Sequence, residues 1–143
     1  MKFNKFLVSL LCSLVLAAPA FAAGKSTKGD KPLSISQGQK VDLADFLVTG
    51  KTTVFDFTSE YCPPCRVYAD PLLKLHQRRQ DLAVVKVDIN RPEYHHIDWE
   101  SPVSQQYALS GKGIPHFKIY GPDGKLVSEG DEARLQVNRW IYD

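Results

Sequence analysis

Apolar and polar positions change period several times along this chain, and each change marks an element. From Thr52 to Thr58 the residues are Thr, Val and Phe around a single Asp56, without polar alternation, which predicts a buried strand. Leu82 to Ile89 reads as a second strand. The stretch between them, from about Pro64 to Gln80, is helical in pattern, and Pro71 inside it removes one backbone donor and predicts a kink. Strand, helix, strand is the unit of a parallel pair with a right-handed crossover, so the chain is of the α/β class. Upstream, Asp42 caps a short helix with Leu43, Phe46 and Leu47 at helical spacing, ended by Gly50. Downstream, residues 90–100 are irregular. Ser101 and Pro102 then start a short helix that runs to about Leu109 and stops at Gly111. Phe117 to Tyr120, the turn Gly121-Pro122-Asp123-Gly124 and Lys125 to Ser128 form an antiparallel hairpin. A last helix, from about Glu132 to Ile141, is expected to bury Leu135, Val137, Trp140 and Ile141 in part.

The first 22 residues follow a different pattern. Lys2 and Lys5 precede an apolar stretch from Phe6 to Leu16, and Ala20-Phe21-Ala22 has the small-x-small form of a signal peptidase site. The expectation is a signal peptide cleaved after Ala22 and export to the periplasm. The apolar stretch falls short of the roughly 20 residues that span a bilayer, so no stable membrane insertion is expected after cleavage. Cys12 is preceded by bulky leucines where lipid attachment calls for small residues. Residues 23–32 are polar and rich in turn formers and predict a flexible leader, followed by one domain over 33–143. Removing Lys2 and Lys5 from the 18 basic side chains leaves 16, equal to the 16 acidic ones. A formal net charge of zero argues against a nucleic-acid partner or an anionic-membrane surface, since both need a concentrated positive field.

Cleavage also removes Cys12, leaving only Cys62 and Cys65. A bridge between them closes little chain and adds little stability by loop entropy, so its value must be chemical. Cys62 stands where a strand hands over to a helix, whose amide donors and partial positive charge favour a thiolate. Pro63 and Pro64 suit the first helical turn because their missing donors are not needed there. Half a zinc site has the same spacing, but a structural zinc wants four ligands, which His76, His95, His96 and His116 would have to complete. No metal and no cofactor are expected. His95 and His96 read as part of a solvated polar loop.

The order of strand, C-x-x-C, kinked helix, strand, helix, Ile-Pro, hairpin and final helix resembles thioredoxin over roughly Leu33 to Tyr142. The most specific run is Phe55-Asp56-Phe57-Thr58-Ser59-Glu60-Tyr61-Cys62-Pro63-Pro64-Cys65. The resemblance implies a thioredoxin fold, a central mixed β-sheet flanked by helices, and thiol:disulfide oxidoreductase activity through a Cys62–Cys65 disulfide. It implies that Cys62 attacks from an exposed position and that a shielded Cys65 resolves. Asp56 matches the family's buried acid and Lys86 the lysine beside it. Ile114-Pro115 matches its cis-proline, which with Tyr61, Pro63 and Pro64 would hold a substrate segment. The departures are Tyr61 and Thr58 in place of tryptophans, Pro63 in place of glycine, Pro71 six rather than five residues past Cys65, and a longer connection over 90–100. The central histidine of strong oxidants is absent, which favours a disulfide reductase. Its partners would be client proteins with disulfides or thiols and a membrane or periplasmic electron-donor thiol protein. An oxidase or isomerase on the same cysteines, or a Cu(I) metallochaperone using both thiolates, are the competing readings.

Overall fold

The computed structural model describes residues 25–143. The expected signal peptide and the first two leader residues lie outside the described residues. The element order is β1 (Leu33–Ile35), a 3₁₀ turn (Leu43–Phe46), β2 (Thr52–Thr58), α1 (Pro63–Arg78), β3 (Leu82–Asp88), α2 (Pro102–Gln106), α3 (Leu109–Lys112), β4 (His116–Tyr120), β5 (Leu126–Glu129) and α4 (Asp131–Tyr142). The five strands form one mixed sheet in the order β1-β3-β2-β4-β5. β2 runs parallel to β3 and antiparallel to β4, which puts it at the centre.

That central place explains the composition of β2. Both faces are covered, so no polar alternation is needed. Phe55 and Phe57 pack with Leu43, Val85, Val87, Val103 and Leu109 on one face. Val54 joins Leu72, Leu75, Val84, Phe117, Ile119 and Val137 on the other. Asp56 shares the Val54 face by the two-residue period of a strand, directly beneath the helix that follows.

α1 carries Pro71 inside it and runs from Pro63 to Arg78. Several other expectations are revised by packing. The segment after Asp42 is a single 3₁₀ turn. The helix expected over 102–109 divides in two, because Ala108 adopts a left-handed φ of 53°. Leu135 is 60% exposed, whereas Ala133 and Val137 form the buried stripe of α4. The described part of the leader is docked. Ser26 makes a parallel bridge to Val48, Lys28 Nζ donates to Arg79 O at 2.6 Å, and His76 Nε2 lies 2.8 Å from Gly29 O.

Candidate active site

α1 begins at a cap that is itself a cysteine. Cys62 has extended backbone angles and its Sγ accepts from Cys65 N–H at 3.2 Å. Pro63 and Pro64 fill the first two helical positions and carry no N–H, so the Cys65 amide is the first free donor of the helix, and it points at the Cys62 sulfur. Cys62 and Cys65 are joined as a disulfide with a Cα–Cα separation of 5.2 Å. Both are 2% exposed, so the expected contrast of an exposed Cys62 and a shielded Cys65 is corrected for the bonded pair. Pro63 and Pro64 above them are exposed. The two sulfurs differ in their surroundings instead.

On the Cys62 side lies the loop before β4. The Ile114–Pro115 peptide is cis, and Ile114 O is 3.7 Å from Cys62 Sγ. Pro64, Ile114 and Pro115 line a groove of about 480 Å³ together with Lys112, His116 and Arg134.

On the Cys65 side lies the sheet. Asp56 is 2% exposed and its Oδ1 has no hydrogen-bond partner. Burial pushes its carboxyl up to about 7, and the opposing Lys86 ammonium only moderates the rise. Asp56 and Lys86 are paired in the β2–β3 register. Both line, with Cys65, Glu60 and Arg66, a cavity of about 350 Å³ beneath the start of α1. A carboxyl with that affinity for protons exchanges them near neutral pH, next to the second cysteine.

The irregular segment 90–100 is built rather than loose. Asn90 accepts from Ser59 Oγ at 2.7 Å and donates to Tyr94 O and His96 O at 3.3 and 2.6 Å. The Arg91 guanidinium grips Asp98, which is 1% exposed, at 2.7 and 2.9 Å. This holds the Asp98 carboxyl below the usual carboxylate range. The segment reaches the active-site loop through Tyr61, whose hydroxyl lies 3.2 Å from His95 Nδ1.

The expected site residues therefore fall into two groups around one disulfide. Tyr61, Pro63, Pro64, Ile114 and Pro115 lie at the outer side, and Asp56 and Lys86 at the inner side. His76, His95 and His116 sit on α1, the 90–100 segment and β4, and among the described residues no group of three or more His, Cys, Asp or Glu is placed to hold a metal ion. Sequence reading missed Glu129, which accepts from Lys112 and His116 at 2.9 Å each and pairs with Lys118 at 3.1 Å. The one signal available was the hairpin, whose turn sets Lys118 opposite Glu129.

The fold, a five-stranded mixed sheet flanked by helices, matches that of solved thioredoxins. A thioredoxin variant of Halobacterium salinarum superposes with a TM-score of 0.52 at 21% identity, covering 84% of this chain and 98% of that one. Spinach chloroplast thioredoxin f gives 0.52 at 19% identity, covering 78% and 87%. In sequence, the chloroplastic F-type thioredoxin of Pisum sativum is 31% identical over 132 residues, 90% of this chain. A thioredoxin of Mycoplasmoides gallisepticum is 29% identical over 90 residues, 63% of this chain and 79% of its own length. The chain has a thioredoxin-like fold. No family model matches it. This thioredoxin-like chain spans 61% of the pea relative's length. Among its described residues no helix is long and apolar enough to cross a membrane.

Proposed function

We propose that this thioredoxin-like chain is an exported thiol:disulfide oxidoreductase that reduces disulfides in periplasmic client proteins. The single observation that carries the chemistry is the placement of a closed Cys62–Cys65 pair between two different environments. Cys62 lies against a helix-cap amide and the carbonyl of Ile114, a residue of the neighbouring groove, while Cys65 shares a cavity with a carboxyl that titrates near neutral pH.

In the reduced protein, the Cys62 thiolate attacks one sulfur of a client disulfide. A Cys62–client bond forms, the client S–S bond breaks, and the departing client sulfur takes up a proton. Asp56 in its carboxylate form removes the Cys65 proton through the shared cavity, and Lys86 sets how readily it does so. The Cys65 thiolate then attacks Cys62 Sγ, the mixed disulfide breaks, and the second client thiol is released. Two electrons have passed to the client, and an electron-donor thiol protein restores the Cys62–Cys65 dithiol by the same exchange in reverse. Tyr61, Pro63, Pro64, Ile114 and Pro115 hold the client segment during the attack.

The direction of transfer rests on the cap. Strong oxidants owe their potential to a reduced form with an unusually stable thiolate. Here the first two helical positions offer no N–H, a single amide reaches Cys62 Sγ, and Asp56 adds negative character behind the pair. The prolines limit the thiolate to that one donor, and the acid opposes its charge, so its stabilisation stays modest. Export is supported by the N-terminal pattern of Lys2, Lys5, the apolar stretch and Ala20-Phe21-Ala22.

Two measurements test the proposal. Equilibration with glutathione or dithiothreitol buffers should give a potential nearer −270 than −120 mV, approximate anchors for thioredoxin and a strong oxidant. A value near −120 mV replaces the reductase with an oxidase. Trapping with Cys65→Ser in the source cell should yield mixed disulfides with periplasmic proteins, and purely cytosolic partners would remove the export reading.

A further inference from the structure

The segment that faces Cys62 is anchored from both of its ends to one carboxylate. Glu129 is the last residue of β5, directly opposite Lys118 on β4. Its Oε1 accepts from Lys112 Nζ, at the end of α3, and from His116 Nε2, at the start of β4, each at 2.9 Å. Its Oε2 pairs with Lys118 at 3.1 Å. Between Lys112 and His116 lie only Gly113, Ile114 and Pro115.

Three features make this more than a surface ion pair. The His116 side chain is 6% exposed and Lys118 12%, so solvent screens these two arms little, whereas Lys112 is 40% exposed and its arm is the weaker one. A fully exposed pair would be worth about 0–1 kcal/mol and fix nothing. The His116 ring also packs edge-on to Phe57 of the central strand at 5.7 Å, so the anchor reaches the sheet. Gly113 has a φ of 77°, a conformation that side-chain-bearing residues rarely adopt, so the turn into Ile114 depends on a glycine there. Burial lowers the His116 pKa despite the neighbouring carboxylate, so the ring serves as a neutral donor at Nε2 near pH 7, and Lys112 holds Glu129 ionised, down at about 2.

We infer that Glu129 is a positioning residue for disulfide exchange: by clamping Lys112 and His116 it fixes Ile114 O beside Cys62 Sγ and shapes the groove wall met by a macromolecular disulfide. The inference deepens the oxidoreductase reading and rests on it. The groove is lined by Lys112, Ile114, Pro115 and His116, so loosening the clamp displaces the wall rather than the sulfurs. A small disulfide that needs only the sulfurs depends on the clamp far less than a protein disulfide that must lie along the groove.

The test compares insulin with a small aromatic disulfide, 5,5′-dithiobis(2-nitrobenzoate), as substrates of the reduced wild type, Glu129→Ala and Glu129→Gln. In Glu129→Ala the ratio of the two second-order rate constants, insulin over small disulfide, should fall about tenfold, mainly through a higher KM for insulin. Glu129→Gln keeps an oxygen acceptor for Lys112 and His116 and should recover most of the ratio. Amide hydrogen exchange should quicken at Gly113 and Ile114 in the alanine variant. An active wild type with an unchanged ratio in Glu129→Ala, whatever its melting temperature, overturns the clamp alone. A wild type inactive on both substrates overturns the oxidoreductase reading and the clamp with it.

Discussion

Asp56 and Lys86 stand opposite each other on neighbouring parallel strands, with both side chains turned toward the cavity that also reaches Cys65. The acid is buried and the base half-buried. Burial therefore dominates, and Asp56 binds its proton up to about pH 7 instead of the ordinary 3.8. Between those values the folded protein holds more protons than the unfolded chain, so stability falls as pH rises. The penalty is absent below about pH 4 and complete above pH 7, where it reaches about 4 kcal/mol. Asp56→Asn should be more stable than wild type at pH 8 and lose that advantage by pH 4. Urea unfolding at both pH values checks this, and equal midpoint differences would rule out a raised Asp56 pKa.

Removing the acid that stabilises nothing should still cost activity. In the proposed mechanism Asp56→Ala leaves the Cys62 attack with its cap amide intact but deprives Cys65 of its proton acceptor. The mixed disulfide should persist, with its resolution slowed by about 10²-fold, the low end for a positioned base. Quenched-flow trapping of the protein–substrate adduct reads this directly.

In the proposed mechanism Lys86 tunes that step rather than performing it. Its charge draws the Asp56 pKa down against burial, so Lys86→Met should move it further up. The pH midpoint for mixed-disulfide resolution should shift to higher pH in step with the Asp56 carboxyl-carbon NMR titration. A midpoint that stays in place while the NMR titration moves would show that Asp56 is not the base.

Cys62 and Cys65 should differ once reduced, although both are 2% exposed as a disulfide. Cys62 Sγ is the atom that accepts the Cys65 amide, and it lies 3.7 Å from the carbonyl of Ile114. In single-cysteine variants, alkylation of Cys62 should outpace that of Cys65 at pH 7 by about tenfold or more. A faster Cys65 would exchange the attacking and resolving roles.

Much of this arrangement is legible in the sequence because it is local. The β2 and β3 runs are apolar throughout since both faces are covered, the Gly121–Gly124 turn declares the hairpin, and Pro63 and Pro64 declare a helix start. What stays hidden depends on pairs far apart in the chain. Glu129 meets Lys112 and His116 only through the β4–β5 register and the return of α3 to the sheet. The docking of Ser26, Lys28 and Gly29 uses mostly backbone groups, which carry no side-chain signature. Leu135 is apolar at helical spacing yet exposed, because α4 turns Ala133 and Val137 inward. Ala108 takes a left-handed conformation that composition would assign to glycine.

The docked leader gives the last prediction. His76, on the last turn of α1, is 2% exposed and bridges two elements. Its Nδ1 accepts from the Val84 N–H of β3 at 3.0 Å, which leaves Nε2 to donate to Gly29 O at 2.8 Å. Only the neutral ring can do both, since protonation places a hydrogen where Nδ1 must accept. Burial accordingly lowers its pKa below the ordinary 6.5. This contribution is fully present above pH 6.5 and is lost as pH falls below it, because the unfolded chain takes up the proton first. His76→Phe fills the space but orphans the buried Val84 amide, which should cost about 1–3 kcal/mol at pH 7.5. At pH 5.5 the wild type forfeits part of its advantage and the gap should narrow. Asp56 titrates in both proteins and cancels from the difference, so urea unfolding of the pair at the two pH values isolates His76. Amide exchange at Asp30 and Lys31 should quicken in the variant as the leader loosens. A stability gap that is the same at pH 5.5 and 7.5 would show that His76 does not have to be neutral in the fold.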